Sequence, residues 1–250
     1  MAIGLLGKKL GMTHVYDEFG HRWAVTVVQA GPCTVLRLRE PKRDGYQAVQ
    51  VGFESIDEKR LSKPRLGVFK QAGTAAFRYV REFRLGPVSD TKAVSDTAEF
   101  KTGQQLTVDL FQEYELVDVA GISIGKGFQG GVRRWNWRGG AQTHGSTSHR
   151  RPGSIGSTTT PGRVFRGHHL PGHMGDDQVT IQNLRILRLD PANHLLLIEG
   201  AVPGAENGLV VVTKSKKRPG VIKKPQAVQT VVSEEEEEKG KKPAKAAAKK

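Results

Sequence analysis

The chain has 250 residues and a mass of 27.3 kDa, enough for one large domain or two small ones, with about 70% of the unfolded surface buried. Its 39 Lys and Arg against 25 Asp and Glu leave a formal charge of +14, which favours a polyanionic partner. No run of about 18 apolar residues is present to span a membrane, and one cysteine, Cys33, excludes an internal disulfide and any site needing two thiolates. Residues Met1 to Leu10 lack the long apolar run of a secretory signal, so a reducing, cytoplasmic setting is expected.

In chain order, Trp23 to Gln29 and Cys33 to Arg39 read as strands rich in β-branched residues, with Ala30-Gly31-Pro32 as the turn between them. Tyr46 to Glu54 follows with Val49, Val51 and Phe53 on one face, the period of two of a half-buried strand. Residues 59–101 carry a mixed pattern and read as a small inserted subdomain. Further short strands are expected at Leu106 to Val108, Tyr114 to Val119, Val179 to Leu189, His194 to Glu199 and Leu209 to Thr213. The resulting fold class is mainly β, a barrel or sandwich, since no strong helices alternate with the strands.

The charge is unevenly placed. Residues 1–118 carry 17 basic and 15 acidic groups, whereas residues 119–175 carry eight basic groups and no acid. The same stretch concentrates glycine, with 14 of the 30 falling in residues 121–175. Residues 213–233 add six basic groups and no acid, and the last 17 residues hold five Glu and six Lys. Residues 1–213 are therefore read as the folded body. Residues 214–250 read as a basic, then acidic and Lys/Ala-rich tail too poor in apolar surface to order itself.

Two enzyme patterns occur by letter. Gly121-Ile122-Ser123-Ile124-Gly125 fits the nucleophile elbow, and Gly125-Lys126-Gly127-Phe128-Gln129-Gly130 fits a dinucleotide fingerprint. Both need a helix directly afterwards, and Gly131 to Gly140 is a poor helix by propensity. The fingerprint's ribose-binding acid is missing as well, because no Asp or Glu appears before Asp176. The plainer reading is that the glycines permit tight turns. His169 and His173 have a zinc-compatible spacing, but Pro171 and Gly172 stand between them and no carboxylate is close in sequence. Neither a metal nor another cofactor is expected.

What remains is a basic and aromatic constellation. Arg133, Arg134, Arg138, Arg150, Arg151, Arg163, Arg166 and Lys126 are interleaved with Phe128, Trp135, Trp137, Phe165 and five histidines, among them His144 and His149. Guanidinium forks grip phosphate oxygens in pairs and stack on bases, and aromatic rings receive unstacked bases. A solvated loop is the alternative, yet loops beyond about 15 residues without secondary structure are uncommon unless they bind something or are disordered. Eight phosphate contacts would give a slope of log K against log salt of roughly −6 to −7.

At these residues the chain resembles the large-subunit ribosomal protein family L-three in its bacterial form. The resemblance opens at Ile3-Gly4-Leu5-Leu6-Gly7-Lys8-Lys9-Leu10-Gly11-Met12-Thr13 and is strongest from Gly125 through Gly130-Gly131-Val132-Arg133-Arg134-Trp135. It continues through Thr143-His144-Gly145-Ser146, Ser148-His149-Arg150-Arg151-Pro152-Gly153, Thr160-Pro161-Gly162-Arg163-Val164-Phe165-Arg166-Gly167 and Pro171-Gly172-His173-Met174-Gly175. It implies a translation-protein-like β-barrel with an α+β insertion, and a long internal loop, here 121–175, that reaches through rRNA toward the peptidyl transferase centre. It also implies binding near the 3′ end of 23S rRNA, an early role in subunit assembly, and ribosomal proteins L-fourteen and L-nineteen as neighbours, with no small-molecule substrate. RNA contact carries over onto Lys126, Arg133, Arg134, Trp135, His144, His149, Arg150, Arg151, Arg163 and Arg166. The methylated glutamine that some members carry before Thr-Pro-Gly has no counterpart, since Ser157-Thr158-Thr159 stand there. The extension from Ser215 onward inherits nothing from the family, although its basic start suits added rRNA contacts. An enzyme using Ser123 or the histidine pair, and an assembly chaperone that leaves the mature particle, are the competing functions.

Overall fold

Strand β1 (Gly4–Tyr16) turns back into β2 (Arg22–Ala30), and the two pair antiparallel from Gly7 opposite Ala30 to Tyr16 opposite Arg22. The chain, a computed structural model describing residues 4–85 and 100–221, then leaves this hairpin for a second unit. Strands β3 (Cys33–Arg39) and β4 (Ala48–Ser55) are joined through a single helical turn, α1 (Pro41–Asp44). Helix α2 (Lys63–Ala72), strand β5 (Phe77–Arg84) and the two-residue β6 (Gln105–Leu106) complete a four-stranded sheet in the order β5, β4, β3, β6.

The chain returns to the barrel at β7 (Leu116–Ile122). An excursion follows, with β8 (Gly127–Gln129), a short helix α3 (Gly131–Trp135) and β9 (Gly172–Met174). Strands β10 (Gln178–Asp190), β11 (Leu195–Glu199) and β12 (Leu209–Lys214) then close a six-stranded barrel in the order β1, β12, β7, β10, β11, β2. The mainly β class and the barrel agree with the reading of the sequence. None of the described helices is long and apolar enough to cross a membrane.

Three features differ from the expectation. First, β1 was not anticipated, because its pattern does not alternate. Leu5 stands opposite Val212 and Leu6 opposite Val211, and both leucines are fully buried. Successive residues point to opposite faces, so both faces of β1 are covered here and no polar face marks it as a strand.

Second, the unit beside the barrel is larger than the expected insertion at 59–101. It starts at β3 and draws on β4 and β6, while the expected segment supplies only α2 and β5; residues 86–99 of it lie outside the described residues. Val35, Val49, Val51, Phe53 and Phe83 of this sheet share one buried cluster with Leu5, Val119, Ile186 and Ile198 of the barrel. The two units are packed on each other, and Phe69 of α2 covers the far side of the sheet with Leu36 and Phe77.

Third, the chain does not come loose at residue 214. Strand β12 includes Lys214, Ser215 is buried, and Val221 forms a bridge with Glu115. The expected tail is thus held to the barrel as far as its described residues go, and residues 222–250 lie outside them.

Candidate nucleic-acid interface

Strands β7 and β10 remain paired beyond the barrel rim and become a stalk. The Ser123 N–H donates to the Asp177 carbonyl (2.9 Å), Asp176 donates to the Ser123 carbonyl (3.1 Å), and Lys126 donates to Met174 (2.8 Å) before β8 and β9 take over the pairing. Ser123, the serine of the elbow pattern, is therefore part of this ladder. Its hydroxyl accepts the Asp177 N–H at 3.3 Å.

Above the stalk, a five-residue helix occupies the stretch whose propensity argues against one. Tertiary contacts override propensity here. Asn136 ends α3 in the left-handed conformation that suits a helix C-terminus, and the Trp137 ring folds back across Gly131. A Cβ on Gly131 would fall 1.9 Å from Trp137 Cε3, so this approach requires glycine. The helix in turn delivers two side chains to one acceptor. Arg134 Nη1 and Trp135 Nε1 donate to the Leu170 carbonyl at 2.8 and 2.9 Å. The Arg134 guanidinium also lies against Gly172 and over the Trp135 ring.

Beyond this clamp, residues 136–171 have no regular secondary structure, and residues 147–170 are exposed throughout. A local loop closes where the Gly140 N–H donates to the His149 carbonyl (2.9 Å) and His149 Nδ1 lies 3.0 Å from the Ala141 carbonyl. Because a carbonyl oxygen only accepts, that contact places a proton on Nδ1 and turns Nε2 away from it. His144 sits in the same loop with φ at 57°. Trp137, Pro152, Ile155, His168 and His169 line an open cleft of about 420 Å³ beside it.

The ten residues assigned to RNA from the sequence thus divide in two. Lys126, Arg133, Arg134 and Trp135 stand at the clamp, and the last two are engaged in holding it. His144, His149, Arg150, Arg151, Arg163 and Arg166 lie along the exposed arm. Among the described residues, Arg138, Arg150, Arg151, Arg163 and Arg166 make no hydrogen bond or ion pair with protein, and no ion pair involves residues 119–175. Guanidinium groups held in water without a counter-charge suit a ligand that supplies the anions. The sequence did not show the Leu170 carbonyl, nor His169, whose ring stacks on that of Trp135, as the anchors of the arm, since a backbone carbonyl and one histidine among five carry no distinguishing signal. Among the described residues, no group of three His, Cys, Asp or Glu side chains is placed to hold a metal ion.

The family model for ribosomal protein L3 matches residues 70–194, which include the whole stalk and arm. The chain is also similar to proteins named large ribosomal subunit protein uL3. The one from Geobacter sulfurreducens is 48% identical over 217 residues, 87% of this chain and 99% of the relative. Those of Brachyspira pilosicoli and Acidothermus cellulolyticus are 45% and 49% identical, covering 86% of this chain and 95% and 93% of their own lengths. With the barrel, the acid-free arm and near full-length relatives all in agreement, the chain belongs to the ribosomal protein L3 family.

Proposed function

We propose that the protein is a structural constituent of the large ribosomal subunit that binds 23S rRNA through residues 121–175. The supporting observation is the arm itself, which sets unpaired arginines and exposed aromatics on a paired stalk and bears no carboxylate. Arg150, Arg151, Arg163 and Arg166 neutralise phosphates, and the cleft beside Trp137 and His168 offers flat surfaces for an unstacked base. On this reading the barrel docks near the 3′ end of 23S rRNA, the arm extends toward the peptidyl transferase centre, and early binding nucleates subunit assembly beside ribosomal proteins L-fourteen and L-nineteen. The family is one of structural ribosomal proteins, not enzymes, and Ser123 acts in the stalk ladder.

The test is binding of the full chain to a 23S rRNA transcript over a salt series. Arg150→Ala with Arg151→Ala should weaken binding and make the slope of log K against log salt shallower by about one to two. An unchanged slope would remove both residues from the phosphate interface.

A further inference from the structure

Unbalanced cations also stand at a second place, away from the arm. Strand β5 is the outer strand of its sheet, and an open cleft of about 500 Å³ separates its last residues from the outer face of the barrel. Arg81 and Arg84 line one wall, Lys214 and Lys216 the other, and Ala120 and Val211 lie between them. The acid in the cleft, Glu82, is already engaged by Arg39 (3.1 Å), Tyr46 (2.7 Å) and Gln50 (3.2 Å). Lys214 is matched by Glu115 at 3.0 Å. Arg81 reaches only the Val80 carbonyl, Arg84 lies over the Tyr46 ring, and the Lys216 ammonium has no partner among the described residues. Arg81, Arg84 and Lys216 thus line the cleft with no ion-pair partner among the described residues.

The far wall is held in place by a buried polar network. Asp118, 6% exposed, accepts the N–H of Asn183 at 2.9 Å through one oxygen and that of Lys216 at 3.4 Å through the other. Ser215, 4% exposed, donates its hydroxyl to Asn183 Oδ1 at 2.7 Å and accepts the Arg218 N–H at 3.3 Å. A buried carboxylate is costly unless its hydrogen bonds are made. Here those bonds fix the turn at residues 215–218, where Lys216, Lys217 and Arg218 are all exposed.

We propose that the cleft and this turn form a second phosphate-binding site for rRNA, separate from the arm, which fixes the barrel's orientation on the RNA. The inference rests on the rRNA-binding reading above. The cleft suits a phosphodiester strand better than an acidic protein, because protein interfaces centre on apolar and aromatic anchors and are depleted of charge there, whereas half of the residues lining these walls are charged and four of those five are basic. Arg and Lys side chains presented from a strand edge and an ordered turn are typical contacts to a nucleic-acid backbone, which set register without reading sequence.

The experiment uses the full chain and a 23S rRNA transcript, with binding measured across a potassium chloride series. Arg81→Ala with Lys216→Ala should make the salt slope shallower by roughly 1.4 to 1.8, the share of two phosphate contacts at about 0.7 to 0.9 each. The charge-conserving pair Arg81→Lys with Lys216→Arg should keep the original slope. Hydroxyl-radical footprinting should show the alanine pair losing protections that Arg150→Ala with Arg151→Ala retains. If the arm variant shifts the slope and the cleft variant does not, the cleft is no RNA site and this inference fails while the arm reading stands. If neither shifts it, the rRNA reading fails and this inference fails with it.

Discussion

Trp135 and His169 stack face to face, with ring centroids 4.0 Å apart and planes 4° from parallel. They come from opposite sides of the arm, one from α3 and the other from the irregular segment that leads back into β9. Together with the bonds from Arg134 and Trp135 to the Leu170 carbonyl, the stack is what closes the arm above its stalk. An aromatic pair is worth about 0.5 to 1.5 kcal/mol and a hydrogen bond about 1 kcal/mol. Trp135→Ala should therefore favour opening of the clamp by about 1.5 to 2.5 kcal/mol. Tryptic cleavage after Arg133 and Arg134, within α3, should quicken by about 10- to 70-fold where it follows the open population. His169→Ala, which loses only the stack, should have the smaller effect. The melting temperature of the barrel should not move, because neither ring belongs to its core; a matching fall in melting temperature would show that the clamp is coupled to the barrel.

Gly131 is the second control point on the arm. Its backbone is helical, so alanine is acceptable there by conformation, and the obstacle is the Trp137 ring that a Cβ would strike. Gly131→Ala should displace that ring from α3 and change the near-ultraviolet circular dichroism of tryptophan while far-ultraviolet signals stay the same. Affinity for rRNA should fall as well, since Trp137 lines the cleft beside His168. An unaltered tryptophan spectrum would mean that the ring keeps its place and that glycine is not required at residue 131.

Where one face of a strand meets the core and the other meets water, the sequence was legible. Strands β2, β3, β10, β11 and β12 lie within a residue or two of their expected limits for this reason. The arm was legible too, because the lack of acids across residues 119–175 is a property of composition and needs no coordinates. Strand β1 was hidden by burial on both faces and by glycines whose missing Cβ lets neighbours approach; a Cβ at Gly4 would sit 2.3 Å from the Val212 carbonyl. Helix α3 was hidden because its stability comes from Trp137, Leu170 and His169, which are distant contacts and not propensity. The ordered turn at residues 215–218 was hidden by its charge, since Lys216, Lys217 and Arg218 resemble a solvated tail until Asp118 and Asn183 are seen to hold their backbone.

Cys33 is fully buried where β3 begins, with its thiol directed at the Leu6 carbonyl 3.5 Å away. Burial pushes the thiol up to about 12, with the Leu6 contact acting only weakly in the other direction. The thiolate is the reactive form, so the native protein should resist iodoacetamide at pH 8 and react only as fast as it unfolds. The same shift carries a sign for stability. The folded state holds the proton longer than the unfolded chain, so this contribution is complete below the ordinary thiol value and is lost as pH rises toward 12. Rapid labelling of the folded protein at pH 8 would contradict the burial.

Asp17 organises the turn between β1 and β2. One of its oxygens accepts the N–H groups of Phe19 (2.9 Å) and His21 (2.8 Å), and the other faces the Trp23 indole N–H (3.1 Å) and His21 Nδ1 (3.0 Å). Loss of water around the carboxylate opposes ionisation, but these donors outweigh it, the Trp23 indole foremost, and hold the group down at about 2. A depressed folded value means that the contribution is fully present above the unfolded value of about 3.9 and is lost as pH falls through the folded one. The Trp23 indole proton resonance should therefore stay constant from pH 6 to pH 4 and shift with a midpoint near 2. Asp17→Asn keeps the acceptor oxygen but removes the charge, so the midpoint should vanish while the turn persists. A midpoint near 4 in the unsubstituted protein would show that the four contacts do not favour the ionised form.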